Sequence, residues 1–242
     1  MHLILTGATG LVGAAVLQNM LAMESVSRIS ILSRRPVKMA EGHEAKAKVY
    51  IHNDYKSYDK ALLEELKDAQ GVVWAQGVSQ NDVTKEEYHE ITHEYPVAAA
   101  KAFATLHPSE PFTFVYVSGE GATQTPGVFT AQFGRVKGQA EQALFDLAKA
   151  TPNLRVYNVR PAAVDWRQHP EIHPFMPSQA AYKKMALSSI SLVYQSFTTP
   201  TRQMGRAMAE LAMSRGEPLQ GSDIQMEGTL VSNVALRRLG GL

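Results

Sequence analysis

The chain has 242 residues, 45% of them hydrophobic and 19% charged, with a formal net charge of +1 and no cysteine. A chain of this size can bury about three quarters of its unfolded surface in one α/β domain. Near-neutral charge without blocks of one sign argues against nucleic acid or an anionic membrane as partner, and the missing cysteines exclude disulfides, thiolate metal sites and cysteine catalysis.

The first predicted strand, Leu3-Ile4-Leu5, runs through Thr6 into Gly7-Ala8-Thr9-Gly10-Leu11-Val12-Gly13 and then a helical pattern from Ala14 to Leu21. Glycines spaced G-x-x-G-x-x-G between strand and helix suit a pyrophosphate: one for the tight turn, one for close backbone approach, one for helix packing. Thr6, Gly7, Thr9, Gly10, Leu11, Val12 and Gly13 are therefore expected to bind a dinucleotide at the helix amino terminus. A second strand, Arg28 to Leu32, ends in Ser33-Arg34-Arg35-Pro36. An NAD site usually has an acidic residue there. Ser33, Arg34 and Arg35 instead offer donors and positive charge for a 2′-phosphate, which points to NADP(H).

A third strand, Lys48 to His52, leads into Asn53 and Asp54, which are counted with the cofactor-binding residues. Lys60 to Lys67 has helical spacing, and Gly71 to Ala75 reads as a buried strand placing Ala75, Gln76 and Gly77 beside the cofactor. Thr84 and Glu87 form a capping box that opens the next helix. That helix carries His89-Glu90-Ile91-Thr92-His93, a match to the H-E-x-x-H zinc pattern. With no third ligand signalled and charged flanks, it is read as a solvated helix face, and no metal is expected. Pro96 predicts a kink or restart before a helical stretch from Val97 to Leu106.

Phe112 to Val117 is a strand ending at Ser118, Gln132 to Ala150 a long helix with Gly134 and Gly138 against close neighbours, and Leu154 to Val159 a strand ended by Arg160-Pro161. Strands alternating with helices define an α/β, Rossmann-type doubly wound parallel sheet in a single domain over residues 1–242, with ligands beyond the strands' carboxyl ends. The stretch after Pro161, with Pro170, Pro174 and Pro177, is expected to be irregular, and His169 and His173 to be exposed loop residues. Tyr182 to Phe197 and Thr201 to Ser214 read as helices, the first with an apolar stripe suited to a core or dimer face. Residues 162–200 and 221–233 are expected to wall a substrate cleft. No run of eighteen apolar residues occurs, so no membrane span is expected. The first strand at about His2 leaves no room for a leader, and a cytoplasmic location is expected.

The glycine motif, the strand ending in Ser118, the helix with Lys137 and Val159-Arg160-Pro161 together resemble the extended or atypical short-chain dehydrogenase/reductase superfamily. Val136-Lys137-Gly138-Gln139-Ala140-Glu141 is similar to a Val-Lys-Gly-x-x-Glu run of the small Tat-interacting-protein-like oxidoreductases. The resemblance implies a Tyr-x-x-x-Lys pair and a serine or threonine at the reacting end, with the lysine on the nicotinamide ribose and the tyrosine passing a proton. Here the pair reads Phe133 and Lys137, the serine slot holds Gly119 with Ser118 one place earlier, and the position of a common active-site asparagine falls at Thr92. Lys137 and Pro161 join the cofactor-binding set. Lys137, Ser118, Glu120, Thr123 and Asp165 are the catalytic candidates, Asp165 either as acid or base or as a cap for the following turn. Arg135 is expected to be solvated. The implied activity is NADPH-dependent reduction of a small or medium hydrophobic carbonyl or enone with a non-standard proton donor, by a monomer or homodimer. A non-redox isomerase or cyclase and a non-catalytic NADP-binding regulator are the alternatives.

Overall fold

The computed structural model describes residues 1–179 and 195–242. Strand β1 (His2–Thr6) is followed by helix α1 (Leu11–Ala22), β2 (Arg28–Ser33), β3 (Ala47–Ile51), α2 (Lys60–Leu66) and β4 (Gly71–Trp74). Then come α3 (Lys85–His89), α4 (Tyr95–Phe103), β5 (Phe112–Val117), α5 (Gln132–Ala150) and β6 (Leu154–Val159). The remainder forms β7 (Ala163–Asp165), β8 (Thr198–Pro200), α6 (Thr201–Met213), β9 (Ile224–Gln225), β10 (Leu230–Val231) and α7 (Asn233–Leu239). The main sheet has the order β3-β2-β1-β4-β5-β6-β10-β9. Its pairings are parallel, except that β9 runs antiparallel to β10.

Alternation along the strands sorts their apolar side chains into two cores, as a sheet covered on both faces requires. Leu3, Leu5, Val73, Val115 and Tyr157 pack with Ala15, Val16 and Met20 of α1 and Met204 and Met208 of α6. On the opposite face Ile4, Val72, Trp74, Phe112 and Phe114 pack with Ala99 and Phe103 of α4 and Ala140 and Leu144 of α5. The bounds of β5, α5 and β6 coincide with those the sequence pattern predicts. Gly138 does lie against a close neighbour: a Cβ there would stand 1.8 Å from the Thr123 carbonyl.

The capping box is formed at Thr84, whose hydroxyl accepts from Glu87 N while the Glu87 carboxylate accepts from Thr84 N. The expected break at Pro96 takes another form. Residues Glu90–Glu94 widen into a π turn, with Tyr95 N donating to Glu90 O, and α4 follows directly with Pro96 in its first turn. Pro96 cannot donate to the Thr92 carbonyl, and the Tyr116 hydroxyl from β5 takes that carbonyl at 2.9 Å. The helix ends at Phe103 rather than Leu106.

The stretch after Pro161 is more regular than expected. Ala163–Asp165 lies between prolines but contains none, and pairs in parallel with β8 in a small second sheet. Pro170–Ile172 makes a 3-10 turn. Of the helix expected over 182–197, residues 182–194 lie outside the described residues, and Gln195–Phe197 is a 3-10 turn entering β8. His169, expected to be exposed, is 1% exposed. Its Nδ1 lies 3.0 Å from Thr201 Oγ1 and its Nε2 3.0 Å from Gln18 Oε1, so it joins α1 to α6. The amide oxygen can only accept, so Nε2 carries the proton and Nδ1 accepts from the threonine. His173 is exposed as expected.

Burial, with Arg202 adding to it, lowers the His169 pKa to about 4 from 6.5. A fold that holds the ring neutral gains a contribution that is complete above pH 6.5 and lost as pH falls towards 4. Urea unfolding at pH 7 and pH 4.5 is expected to show the wild type losing roughly 2–3 kcal/mol more than His169→Gln across that interval. Parallel profiles for the two proteins would show that the ring is not held neutral.

Candidate active site

The turn after β1 is set by backbone contact. Gly7 has φ +69°, and a Cβ there would lie 2.3 Å from the Ala75 carbonyl at the end of β4. A Cβ on Gly13 would fall 2.0 Å from the Gly7 carbonyl, so any side chain would force α1 off the strand end. Gly10 caps α1 in extended conformation without a side-chain hydrogen bond, and the first turn has no acidic residue. The N–H groups of Leu11, Val12 and Gly13 thus have no carbonyl of their own helix to bond, at its positive end. Behind them Gln76 N donates to Thr6 Oγ1 at 3.3 Å.

A cavity of about 470 Å³ opens over this turn. Of the predicted cofactor-binding residues it is lined by Gly7, Thr9, Gly10, Ser33, Arg34, Arg35, Ala75, Gln76 and Gly77. Arg34 and Arg35 are exposed, and among the described residues neither guanidinium pairs with a carboxylate. Ser33 Oγ accepts from Arg35 N at 3.3 Å, which fixes the bend that presents them. Asn53 and Asp54 do not line the cavity. Both are exposed, and Asp54 Oδ1 accepts from Lys56 N in a turn. The residue that reaches inward is Tyr55, which lines the cavity and donates to Leu32 O at 3.2 Å. An aromatic residue just after the third strand was its only trace in the sequence.

One strand over, β5 leads into Ser118, which is 4% exposed and whose Oγ has no hydrogen-bond partner among the described residues. Lys137, on α5, directs its amine at the same strand end, donating to Val117 O at 3.0 Å and Ser118 O at 2.8 Å. Burial lowers its pKa to about 8, against an upward pull from Glu141 one turn further on. Glu141 is fully buried and accepts from Arg160 Nε at 2.8 Å, Arg160 Nη2 at 2.5 Å and Gln124 Nε2 at 2.5 Å. The sequence reading gave it no role, although its spacing of four from Lys137 placed both on one helix face.

The other candidates are placed differently. Phe133 N donates to Gln80 Oε1 at 2.8 Å, and the tip of its ring rests on Gly121. Glu120 is exposed, its N–H on the Pro161 carbonyl. Thr123 Oγ1 accepts from Thr125 N at 3.2 Å, and Thr92 contributes its carbonyl to Tyr116. Asp165 holds Arg167 through both carboxylate oxygens and accepts from Arg167 N, which is the turn-capping alternative. Burial pushes its carboxyl up, but the hydrogen bonds from Arg167 outweigh that and hold it below the ordinary value. Arg135 is not merely solvated. It donates to Thr130 O at 2.9 Å, to Val128 O at 3.1 Å and to Gly127 O, fixing the loop before α5. His89 and His93 stack at 4.8 Å, and among the described residues no group of three metal-ligating side chains comes together.

No family model matches the chain. Its fold is that of the short-chain dehydrogenases/reductases. A short-chain dehydrogenase/reductase from Saccharomyces cerevisiae superposes with a TM-score of 0.66 at 16% identity, over 98% of each chain. The alternative dihydrofolate reductase 1 from Brucella canis, solved with NADP, does so at 0.62 and 14% identity, over 98% of this chain and 94% of that one. The leucinostatins biosynthesis cluster protein T of Purpureocillium lilacinum is 34% identical over 260 residues, 98% of this chain and 94% of the relative. The chain belongs to the family of that protein. No helix among the described residues is long and apolar enough to cross a membrane.

Proposed function

We propose that the protein is an NADPH-dependent reductase of the short-chain dehydrogenase/reductase type, acting on a small or medium hydrophobic carbonyl or enone in natural-product biosynthesis. The observation that carries this is a pair of adjoining features: an anion-ready cavity edged by Arg34 and Arg35, and a lysine fixed at the next strand end. The biosynthetic setting comes from the name of the relative. The protein works in the cytoplasm as a monomer or homodimer, with the substrate walled by residues 162–200 and 221–233, of which 180–194 lie outside the described residues.

The residues present fit the cofactor. Gly7 and Gly13 let the turn and α1 pack where a Cβ would strike main chain, and α1 offers uncapped N–H groups to a pyrophosphate. Leu11, Val12 and Gly13 hold the pyrophosphate, while Ser33, Arg34 and Arg35 hold the 2′-phosphate. Bound NADPH supplies a hydride. At the other end the ammonium of Lys137 spends two N–H groups on carbonyls and keeps a third for a ligand. The buried Ser118 hydroxyl, without a protein partner, is free to donate to a substrate oxygen. Phe133 can transfer no proton, and Glu120, Thr123 and Asp165 are exposed or engaged elsewhere.

Missing hydroxyls at Phe133 and Gly119 are what favour the second reading, a protein that binds NADP without turnover. NADPH oxidation with benzil and with benzylideneacetone separates the two. The reductase reading expects slow turnover by the wild type, and a rise on the order of tenfold or more for benzil in Phe133→Tyr, which restores a positioned phenol one turn from Lys137. NADPH affinity should hardly change. Tight NADPH binding with no oxidation by either protein would leave the regulator and the non-redox isomerase or cyclase.

A further inference from the structure

Within that reductase reading, we infer that the amine of Lys137 itself gives the proton to the substrate oxygen, in place of the phenol that position 133 lacks. The geometry around the nitrogen suits both of its protonation states. As an ammonium it has three N–H groups, two of them on the Val117 and Ser118 carbonyls at 3.0 and 2.8 Å. As an amine it can keep both bonds, without the assistance of the charge, and its lone pair points where the third proton was. Losing the proton therefore breaks no hydrogen bond within the protein.

The surroundings favour proton release. Burial is the force behind it; Glu141 on α5, shared with Arg160 and Gln124, and the Tyr116 ring of β5, 5.7 Å from the amine, pull the other way and are outweighed. Burial brings the lysine to about 8, close to a working pH, which is where a general acid is most effective. The step balances: hydride from the dihydronicotinamide bonds to the carbonyl carbon and the C=O π pair moves to oxygen. An Nζ–H bond then breaks, its electrons staying on nitrogen, as the O–H bond forms. The alcohol leaves, and the neutral amine takes a proton from water.

Two measurements test this. In protein carrying isotope-labelled lysine and no cofactor, NMR titration is expected to find one side chain, absent from Lys137→Arg, titrating near pH 8. Titration near the ordinary 10.4 overturns the proposal. With benzil as substrate, wild-type kcat is expected to fall above about pH 8. Lys137→Arg keeps the charge but cannot release a proton, so kcat should fall roughly a hundredfold while NADPH affinity stays within about fivefold. Wild-type turnover with an unimpaired arginine variant overturns the lysine as donor and leaves the reductase reading standing. No wild-type NADPH oxidation with either benzil or benzylideneacetone overturns that reading, and the proton donor with it.

Discussion

Alanine at both Arg34 and Arg35 is expected to abolish a preference for NADPH over NADH. The two guanidinium groups stand exposed on the rim of the cavity, and among the described residues no carboxylate neutralises them. The hydroxyl of Ser33 pins the turn between them and β2. Charge-assisted hydrogen bonds to a 2′-phosphate contribute on the order of 1.5–3 kcal/mol, so the unaltered protein should bind NADPH at least roughly tenfold tighter than NADH. The double variant should bind both with the weaker affinity, because α1 and its glycine loop are untouched. Fluorescence titration with the two cofactors reads this directly. Coincident curves for the unaltered protein would remove the basis for assigning NADP(H).

Glu141→Ala is expected to be the most destabilising single substitution near the site. The carboxylate is fully buried and receives two hydrogen bonds from Arg160, itself 14% exposed, and one from Gln124. Removing it strands a guanidinium in a poorly hydrated setting, which costs roughly 3–5 kcal/mol. Replacing the pair together, with Glu141→Leu and Arg160→Met, should recover much of that loss, since no charge is then left unpaired. Urea denaturation at pH 7 measures both. A loss below about 1 kcal/mol for the single variant would mean that water reaches Arg160.

The framework was legible because its signals are local. Short, nearly continuous buried runs mark β5 and β6, and the apolar spacing of α5 recurs within each turn, so those elements fall where the pattern puts them. What the pattern could not carry was partnership between distant residues. His169 looked like a loop histidine because Gln18, its partner, stands 151 positions away in the chain. Glu141 depends on Gln124 and Arg160, and Arg135 on the loop at Gly127–Thr130, none of which has a periodic signature. Two-residue strands such as β9 and β10 are too short to show alternation, and β7 is recognisable only once β8 lies beside it. In the candidate site, the turn after β1 was readable because glycine spacing encodes backbone geometry. The reacting end was readable only as an absence at Phe133, since a lysine's hydrogen-bond partners are main-chain carbonyls that any sequence supplies.

The close crossing of α1 and α6 also bears on how the molecule is made. A Cβ on Gly205 would lie 2.5 Å from the Ala15 carbonyl, and the Gln18–His169–Thr201 chain fastens the same two helices. The glycine turn after β1 is therefore buttressed by a helix synthesised nearly 190 positions later. Contacts of such long sequence separation form late, because the intervening loop must be closed first. A nascent chain halted before Thr201 has its glycine motif complete, yet lacks the surface on which α1 comes to rest. Ordering of that turn is thus tied to synthesis of α6, and pulse-labelling hydrogen exchange during refolding should find the α1 amides protected no earlier than those of α6.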